Sequence, residues 1–171
     1  MLISNKSQFP NATINLRSEF PLSIDQLKQV FILPHSVAFE PYVKAFQYKI
    51  LNSILFTNVK LHKIGFKESN LRSFCETVPE TLHHLLWLSL MNGKIQLSLQ
   101  DVVVGIISSQ NSSLLTLLNF FIIIGKLYLW DCRRDHRYPD LQRFKVKLKM
   151  KYEIERFISV KNNNDNFFKK K

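Results

Sequence analysis

Three residues near the middle of the chain are of types that bind transition metals. Cys75 lies in a polar segment, and His83 and His84 follow it at the start of an apolar segment with helical spacing. A thiolate and two imidazoles form a ligand set that suits Zn²⁺, and a loop followed by a helix can present them from two sides. The spacing is therefore compatible with a zinc site.

The remaining ligands of such a site are not found nearby. A structural zinc site needs four ligands. Arg72 occupies the position of the first cysteine in a Cys-x2-Cys pair, and no Cys or His follows His84 until Cys132 and His136. We therefore favour the interpretation that Cys75 is a free thiol and that the two histidines flank a helix. We expect no zinc and no other cofactor.

Residue patterns typical of enzymes are also missing from the sequence. The four glycines are isolated from one another, so no glycine-rich phosphate loop is formed. The acidic residues are scattered, without the close pair that two-metal phosphoryl transfer requires. No serine, histidine and aspartate have a spacing that indicates a nucleophilic triad. We therefore expect that the chain is not an enzyme.

Positive charge is concentrated towards the C terminus. The net charge is +11, and residues 126–171 contain 14 Lys/Arg and 6 Asp/Glu. Segregated positive charge attracts polyanions, either nucleic acid or an anionic membrane surface. Tyr138, Phe144 and Tyr152 lie among these cations and are available for base stacking, although single aromatics are more often part of a core. The candidate phosphate-binding residues are Arg133, Arg134, Arg137, Arg143, Lys145, Lys147, Lys149 and Lys151.

The first half of the chain shows helical spacing interrupted by capping residues. Ser23 is a good N-cap for a short helix that Pro34 is expected to end. A second helix is predicted from about Tyr42, and a third begins at Thr57 or Asn58. Gly65 ends this third helix in the left-handed conformation that suits glycine.

The second half contains four further predicted helices. Thr77 and Glu80 fit a capping box for one helix, and Ser98 precedes another. A long apolar helix follows Ser112. Residues 145–152 alternate between lysine and an apolar or aromatic residue, and this period of two favours a strand. The composition of residues 140–160 favours a helix instead, and we predict a helix.

These elements predict an all-α fold, a small irregular bundle of five to seven helices. We divide the chain into a leader with one short helix (residues 1–34), a helical domain (35–160) and a disordered basic tail (161–171). No apolar segment of signal-peptide type begins the sequence, so we expect a nuclear or cytoplasmic protein rather than a secreted one.

One apolar run raises the question of a membrane span. Residues 114–124 read LLTLLNFFIII, and Asn119 and Lys126 interrupt the apolar character. A bilayer span needs about 20 apolar residues. We therefore expect a buried helix and no membrane span.

Two neighbouring segments resemble a known family. Residues 46–65 read FQYKILNSILFTNVKLHKIG, and residues 80–85 read ETLHHL. Their order is similar to that in the zinc-binding region that follows the reverse transcriptase of non-LTR, LINE-type retrotransposons. In that family, a helix pair leads into a Cys-x2-Cys loop, and a Glu-Thr-x-x-His-Leu helix and a last cysteine follow. The resemblance extends over residues 35–171.

The resemblance implies a degenerate zinc knuckle over residues 72–89. Cys75 and His84 stand at two of the family's ligand positions, whereas Arg72 and Ser89 replace the other two. The catalytic aspartate motif of the polymerase and the endonuclease are also missing. The chain thus resembles a detached 3′ end of a retroelement reading frame.

The resemblance and the charge together predict a function. The family region is thought to help the polymerase hold its template. We therefore expect a non-catalytic, retroelement-derived fragment that binds RNA or DNA phosphates without sequence preference, with a reverse transcriptase domain as a further partner. The alternative is an inert structural remnant that packs on a polymerase or self-associates through its apolar helix, residues 120–130.

Overall fold

A computed structural model of the chain describes residues 16–74, 77–90, 97–108 and 112–162. In these ranges a helical turn over residues 16–19 precedes seven helices, and the only β-type pairing is an isolated bridge between Leu71 and Pro79. The predicted all-α class is confirmed. The helices are α1 (Ile24–Val37), α2 (Pro41–Leu51), α3 (Asn58–Lys63), α4 (Leu82–Leu90), α5 (Leu99–Val104), α6 (Ser113–Arg134) and α7 (Leu141–Lys161).

Several helices begin at the capping residues that the sequence indicates. The Ser23 side chain accepts a hydrogen bond from the Gln26 backbone, and the Gln26 side chain accepts one from the Ser23 backbone. Ser98 and Asp101 form the same reciprocal pair at α5, and Ser112 caps α6. Such local bonds satisfy N–H groups that have no partner inside the helix.

Helix α1 differs from the prediction at its C-terminal end. Pro34 lies inside the helix, which continues to Val37, and both residues are buried in the core. Proline removes one helical hydrogen bond, but the Ala38 N–H still donates to the Pro34 carbonyl, at 3.2 Å. Burial of the last turn thus outweighs the local cost of proline. The predicted boundary at residue 34 falls inside α1, and the core already includes Leu16 and Phe20.

Helix α6 lies at the centre of the bundle. It contacts α1, α2, α4 and α7, and its buried residues include Ile123, Ile124 and Leu127. Helix α6 is long and apolar enough to cross a membrane by length and composition, but 56% of its most apolar window is buried inside the protein. A helix that is apolar on most sides needs such cover, and the neighbouring helices provide it.

Helix α7 lies along α6 and begins at a defined point. Asp140 is its N-cap and accepts a hydrogen bond from the Arg143 backbone. The Tyr128 hydroxyl, from α6, donates to the Asp140 carbonyl and accepts from the Asp140 N–H, both at 2.8 Å. The helix predicted over residues 140–160 is therefore confirmed, and Lys151, Glu155 and Ser159 form its buried face. The predicted tail lies outside the described residues from residue 163 onwards.

Candidate nucleic-acid interface

The eight predicted phosphate-binding residues do not form one surface. Arg133 points inward, where its Nε donates to a Glu80 carboxylate oxygen at 2.5 Å. Its guanidinium also donates to the Phe56 carbonyl and to Asn58, and it lies over the Trp130 ring at 4.7 Å. With all these contacts and little exposure, Arg133 acts as a structural cation of the bundle.

Two lysines of α7 are also held in ion pairs at the surface of the core. Lys147 pairs with Asp131 of α6. Lys151 donates to both carboxylate oxygens of Glu40, at 2.6 and 2.8 Å, and lies over the Tyr42 ring. Both side chains are mostly buried. They attach α7 to its neighbours and offer little charge to a ligand.

Glu155 makes a second attachment beside the Lys151–Glu40 pair. Its carboxylate accepts hydrogen bonds from the backbone N–H groups of Phe39 and Glu40, at the start of α2. Burial raises the pKa of Glu155, although these two hydrogen bonds oppose the shift. The face of α7 that points towards α2 is therefore fixed by two polar contacts, both of which involve Glu40, and the opposite face is left to solvent.

Arg134 and Arg137 lie at the end of α6 and in the turn that follows. Arg134 contacts Asp131 and Asp135 at 3.0 Å, and Arg137 contacts Asp135 at 2.6 Å. These contacts lower the pKa of Asp135, first through its hydrogen bond with Arg134. Nearby carboxylates neutralise much of the positive charge here, so this end of α6 is a weak site for phosphate.

Helix α7 itself carries the cations that remain available. Lys145, Lys149 and Arg156 are exposed and recur at helical spacing on one side of the solvent face. We call these three residues the basic row. Among the described residues, neither lysine has a carboxylate partner, and Arg156 has only a 3.8 Å contact with exposed Glu153. Arg143 is also exposed, but it lies on the other side of this face.

The basic row contains a residue that the sequence reading missed. Arg156 stands eleven residues after Lys145, which corresponds to three helical turns and about 16 Å. Continuing the spacing of Lys145 and Lys149 along the helix identifies it. The predicted set of phosphate-binding residues ends at Lys151 because it follows the dense run of lysines rather than one side of a helix.

The aromatic residues near these cations have different environments. Tyr138 is 74% exposed, and its ring centroid lies 6.4 Å from that of Phe74. Phe144 packs against Tyr128, at 5.5 Å between centroids, and Tyr152 packs against the core. Of the three, only Tyr138 presents most of its surface to solvent.

Glu80 organises the loop where the degenerate zinc knuckle was predicted. Its carboxylate accepts hydrogen bonds from the backbone N–H of Asn58 and of Ser73, and from the Ser73 hydroxyl, at 2.6 to 2.9 Å. Burial alone raises the pKa of Glu80, but these hydrogen bonds and the Arg133 charge outweigh it, so the pKa is lowered. Glu80 therefore stays ionised and connects this loop to α3 and α6.

This role contradicts the predicted capping box of Thr77 and Glu80. Helix α4 begins at Leu82, and the Thr81 hydroxyl accepts a hydrogen bond from the His84 backbone at 3.2 Å. Glu80 precedes the helix and bonds residues that are distant in sequence. The Glu-Thr sequence does mark the helix start, but the threonine provides the cap.

The histidines of the predicted zinc knuckle have contacts of their own. His83 Nε2 lies 2.9 Å from a Glu19 carboxylate oxygen, and His84 Nδ1 lies 3.2 Å from the Pro79 carbonyl. Cys75 lies outside the described residues. Within the described ranges, no group of three or more His, Cys, Asp or Glu residues is placed to hold a metal ion.

A buried lysine lies at the centre of the bundle, away from the basic row. The Lys126 ammonium, fully enclosed, donates to the Gln47 side chain at 2.6 Å and to the Val103 carbonyl at 3.3 Å. Gln47 also donates to the Val103 carbonyl, at 3.0 Å. Desolvation by burial lowers the pKa of Lys126 to about 7. The Val103 carbonyl belongs to the last turn of α5, where carbonyl groups lack helical partners. The Gln47 and Lys126 side chains supply its hydrogen bonds instead.

Comparison with models of protein families, with curated proteins and with solved structures finds no match to this chain.

Proposed function

We propose that the protein binds the phosphate backbone of nucleic acid, without sequence preference, through the basic row of α7. The observation that carries the proposal is the exposure of Lys145, Lys149 and Arg156 in one row. Phosphate contacts depend on accessible positive charge and carry no direct sequence information.

The surroundings of the row support this proposal. Inward-facing Lys147 and Lys151 already have carboxylate partners, so α7 separates structural cations from available ones. Glu153 is the one acidic residue on the solvent face of α7. The resemblance to the region that follows the polymerase in retroelements points to the same class of partner, an RNA or DNA strand.

The alternative of self-association through the apolar helix has less support. Helix α6 packs most of its apolar residues between Phe120 and Trp130 against α1, α2, α4 and α7, and of these Phe121 is 37% exposed. A covered helix offers little surface for a second copy. We therefore do not assign α6 a role in binding.

The proposal predicts a defined dependence of affinity on salt. Three contacts to a single strand give a slope of log affinity against log salt of about −2. The triple variant Lys145→Ala/Lys149→Ala/Arg156→Ala should lower affinity for a fluorescent single-stranded RNA and reduce the magnitude of the slope by about 2. Fluorescence anisotropy over a salt series measures both quantities.

A matched variant separates the row from net charge. Lys28, Lys49 and Lys63 are exposed cations on α1, α2 and α3, and replacing all three by alanine removes the same charge. This variant should retain most of the affinity and slope. Equal losses in the two variants would show that binding follows net charge alone and would contradict a site on α7.

A further inference from the structure

The solvent face of α7 also contains an apolar surface beside the basic row. Val146, Met150, Phe157 and Val160 are 70%, 53%, 68% and 58% exposed. We call these four residues the apolar stripe. Val146, Met150 and Phe157 border a shallow groove on the same face, and its other lining residues are Lys149, Glu153 and Ile154. Four large apolar side chains are thus exposed along one line of the helix, with Glu153 between Met150 and Phe157, and exposed apolar surface of this kind is typical of interaction sites.

The spacing of the stripe is that of a helix-pairing surface. Residues 146, 150, 153, 157 and 160 alternate steps of four and three, which is the spacing of the a and d positions in a coiled coil. Glu153 occupies one of these positions and the apolar stripe occupies the other four. A second helix laid along α7 would therefore cover the stripe along about 20 Å.

Charge indicates which kind of helix fits. In this register Lys149 and Arg156 occupy the flanking g positions, and Lys161 occupies an e position. Residues at e and g set partner choice through ion pairs across the interface. Basic residues on both sides of an apolar stripe are complementary to a helix with glutamate or aspartate at the corresponding positions.

A second copy of the chain fits the same surface poorly. In a parallel pair, Arg156 of one copy would face Lys161 of the other, because g and e positions meet. In an antiparallel pair, Lys149 would face Arg156. Like charges are juxtaposed in both arrangements, and this opposes pairing.

We propose that the apolar stripe of α7 is a docking site for an acidic amphipathic helix of a partner protein. The partner places apolar residues on Val146, Met150, Phe157 and Val160 and places carboxylates beside Lys149 and Arg156. This site goes beyond phosphate binding, because its affinity depends on apolar contact that a phosphate backbone does not make.

A synthetic helix tests this docking site. The probe is a fluorescent three-heptad peptide with leucine at a and d and glutamate at e and g; its own acidic flanks repel one another. The control peptide has lysine at e and g. The acidic peptide should bind the full chain one-to-one and at least about tenfold more tightly than the basic peptide.

Variants of the chain assign the binding to the stripe. Met150→Ser/Phe157→Ser should lower the affinity for the acidic peptide by at least about tenfold while changing the affinity for RNA by less than twofold. The row variant Lys145→Ala/Lys149→Ala/Arg156→Ala should weaken both ligands. Leu114→Ser/Ile32→Ser, which alters exposed apolar residues on α6 and α1, is the matched control and should bind the peptide normally.

Several results would overturn the docking site. Equal affinity for the acidic and basic peptides would show that the stripe binds apolar surfaces without selecting for charge. Peptide affinity unchanged by Met150→Ser/Phe157→Ser would place binding elsewhere. A dimer in sedimentation that these substitutions dissociate would make a second copy the occupant. Stripe-dependent binding to vesicles of phosphatidylserine and phosphatidylcholine, without peptide binding, would make it a membrane surface. Circular dichroism of each variant establishes that it is folded.

Discussion

The buried amine of Lys126 provides a direct test of the core. Its pKa is lowered by burial from 10.5 to about 7, and its contacts within the bundle are an amide oxygen and a backbone carbonyl. Between these two pH values the unfolded chain holds a proton on Lys126 that the folded protein has lost. The free energy of unfolding therefore rises with pH in this window, because the unfolded state binds more protons.

The size of this effect follows from the two pKa values. A full proton of difference corresponds to about 1.4 kcal/mol per pH unit. Because the folded protein is still half protonated near its own pKa, the accumulated gain from pH 7 to pH 9 is about 2 kcal/mol. Lys126→Met removes the proton and keeps the length of the side chain. The wild-type protein should gain about 2 kcal/mol relative to this variant over the same range.

Urea unfolding at constant ionic strength, followed by circular dichroism at pH 7, 8 and 9, measures the difference. Lys49→Met on the exposed face of α2 is the control and should follow the wild-type curve. The variant also loses the donor to Gln47 at every pH, which shifts its whole stability curve without changing the slope. Parallel stability curves for wild type and Lys126→Met would refute the buried, deprotonated lysine.

Two other substitutions test the polar and backbone features of the fold. Glu80→Gln breaks the buried pair with Arg133 and should cost about 3–5 kcal/mol in urea unfolding at neutral pH, whereas exposed Glu153→Gln should cost less than about 1 kcal/mol. The folded pKa of Glu80 lies below its ordinary 4.5, so the stability difference between wild type and Glu80→Gln should shrink as the pH falls below that value. A difference that stays constant with pH would contradict an ionised Glu80. Gly105→Ala should destabilise more than Gly65→Ala, by about 1–3 kcal/mol, because both have positive φ but only the Gly105 position would bring a Cβ against Leu33 and Asn119. Thermal unfolding of the two alanine variants compares them, and equal melting temperatures would argue against that contact.

Local signals in the sequence explain most of the correctly predicted helices. Ser23, Ser98 and Ser112 each cap a helix through hydrogen bonds within three residues, so their role is readable from spacing. The end of α1 that was predicted at Pro34 is wrong because burial of the last turn outweighs the local cost of proline. That burial depends on the rest of the core, which no local pattern shows.

The site was less accessible to sequence reasoning because its geometry is set by distant contacts. Glu80 bonds Arg133, which lies 53 residues away, and no local pattern distinguishes that role from a cap. The lysines of α7 look alike in sequence, yet Asp131 and Glu40 hold Lys147 and Lys151 while Lys145 and Lys149 remain at the surface. Which side of α7 faces solvent is decided by the elements it packs on.

The central position of α6 has a consequence for synthesis of the protein on the ribosome. The helices α1 and α2 are complete by residue 51, but α6, on which both pack, begins only at Ser113. The nascent N-terminal region therefore emerges without the surface that covers its apolar residues. Contacts of such large sequence separation form late and slow folding. We expect the growing chain to expose Val30, Val43 and Ile50 until α6 has left the exit tunnel, and to present chaperones with a binding surface that the finished bundle hides.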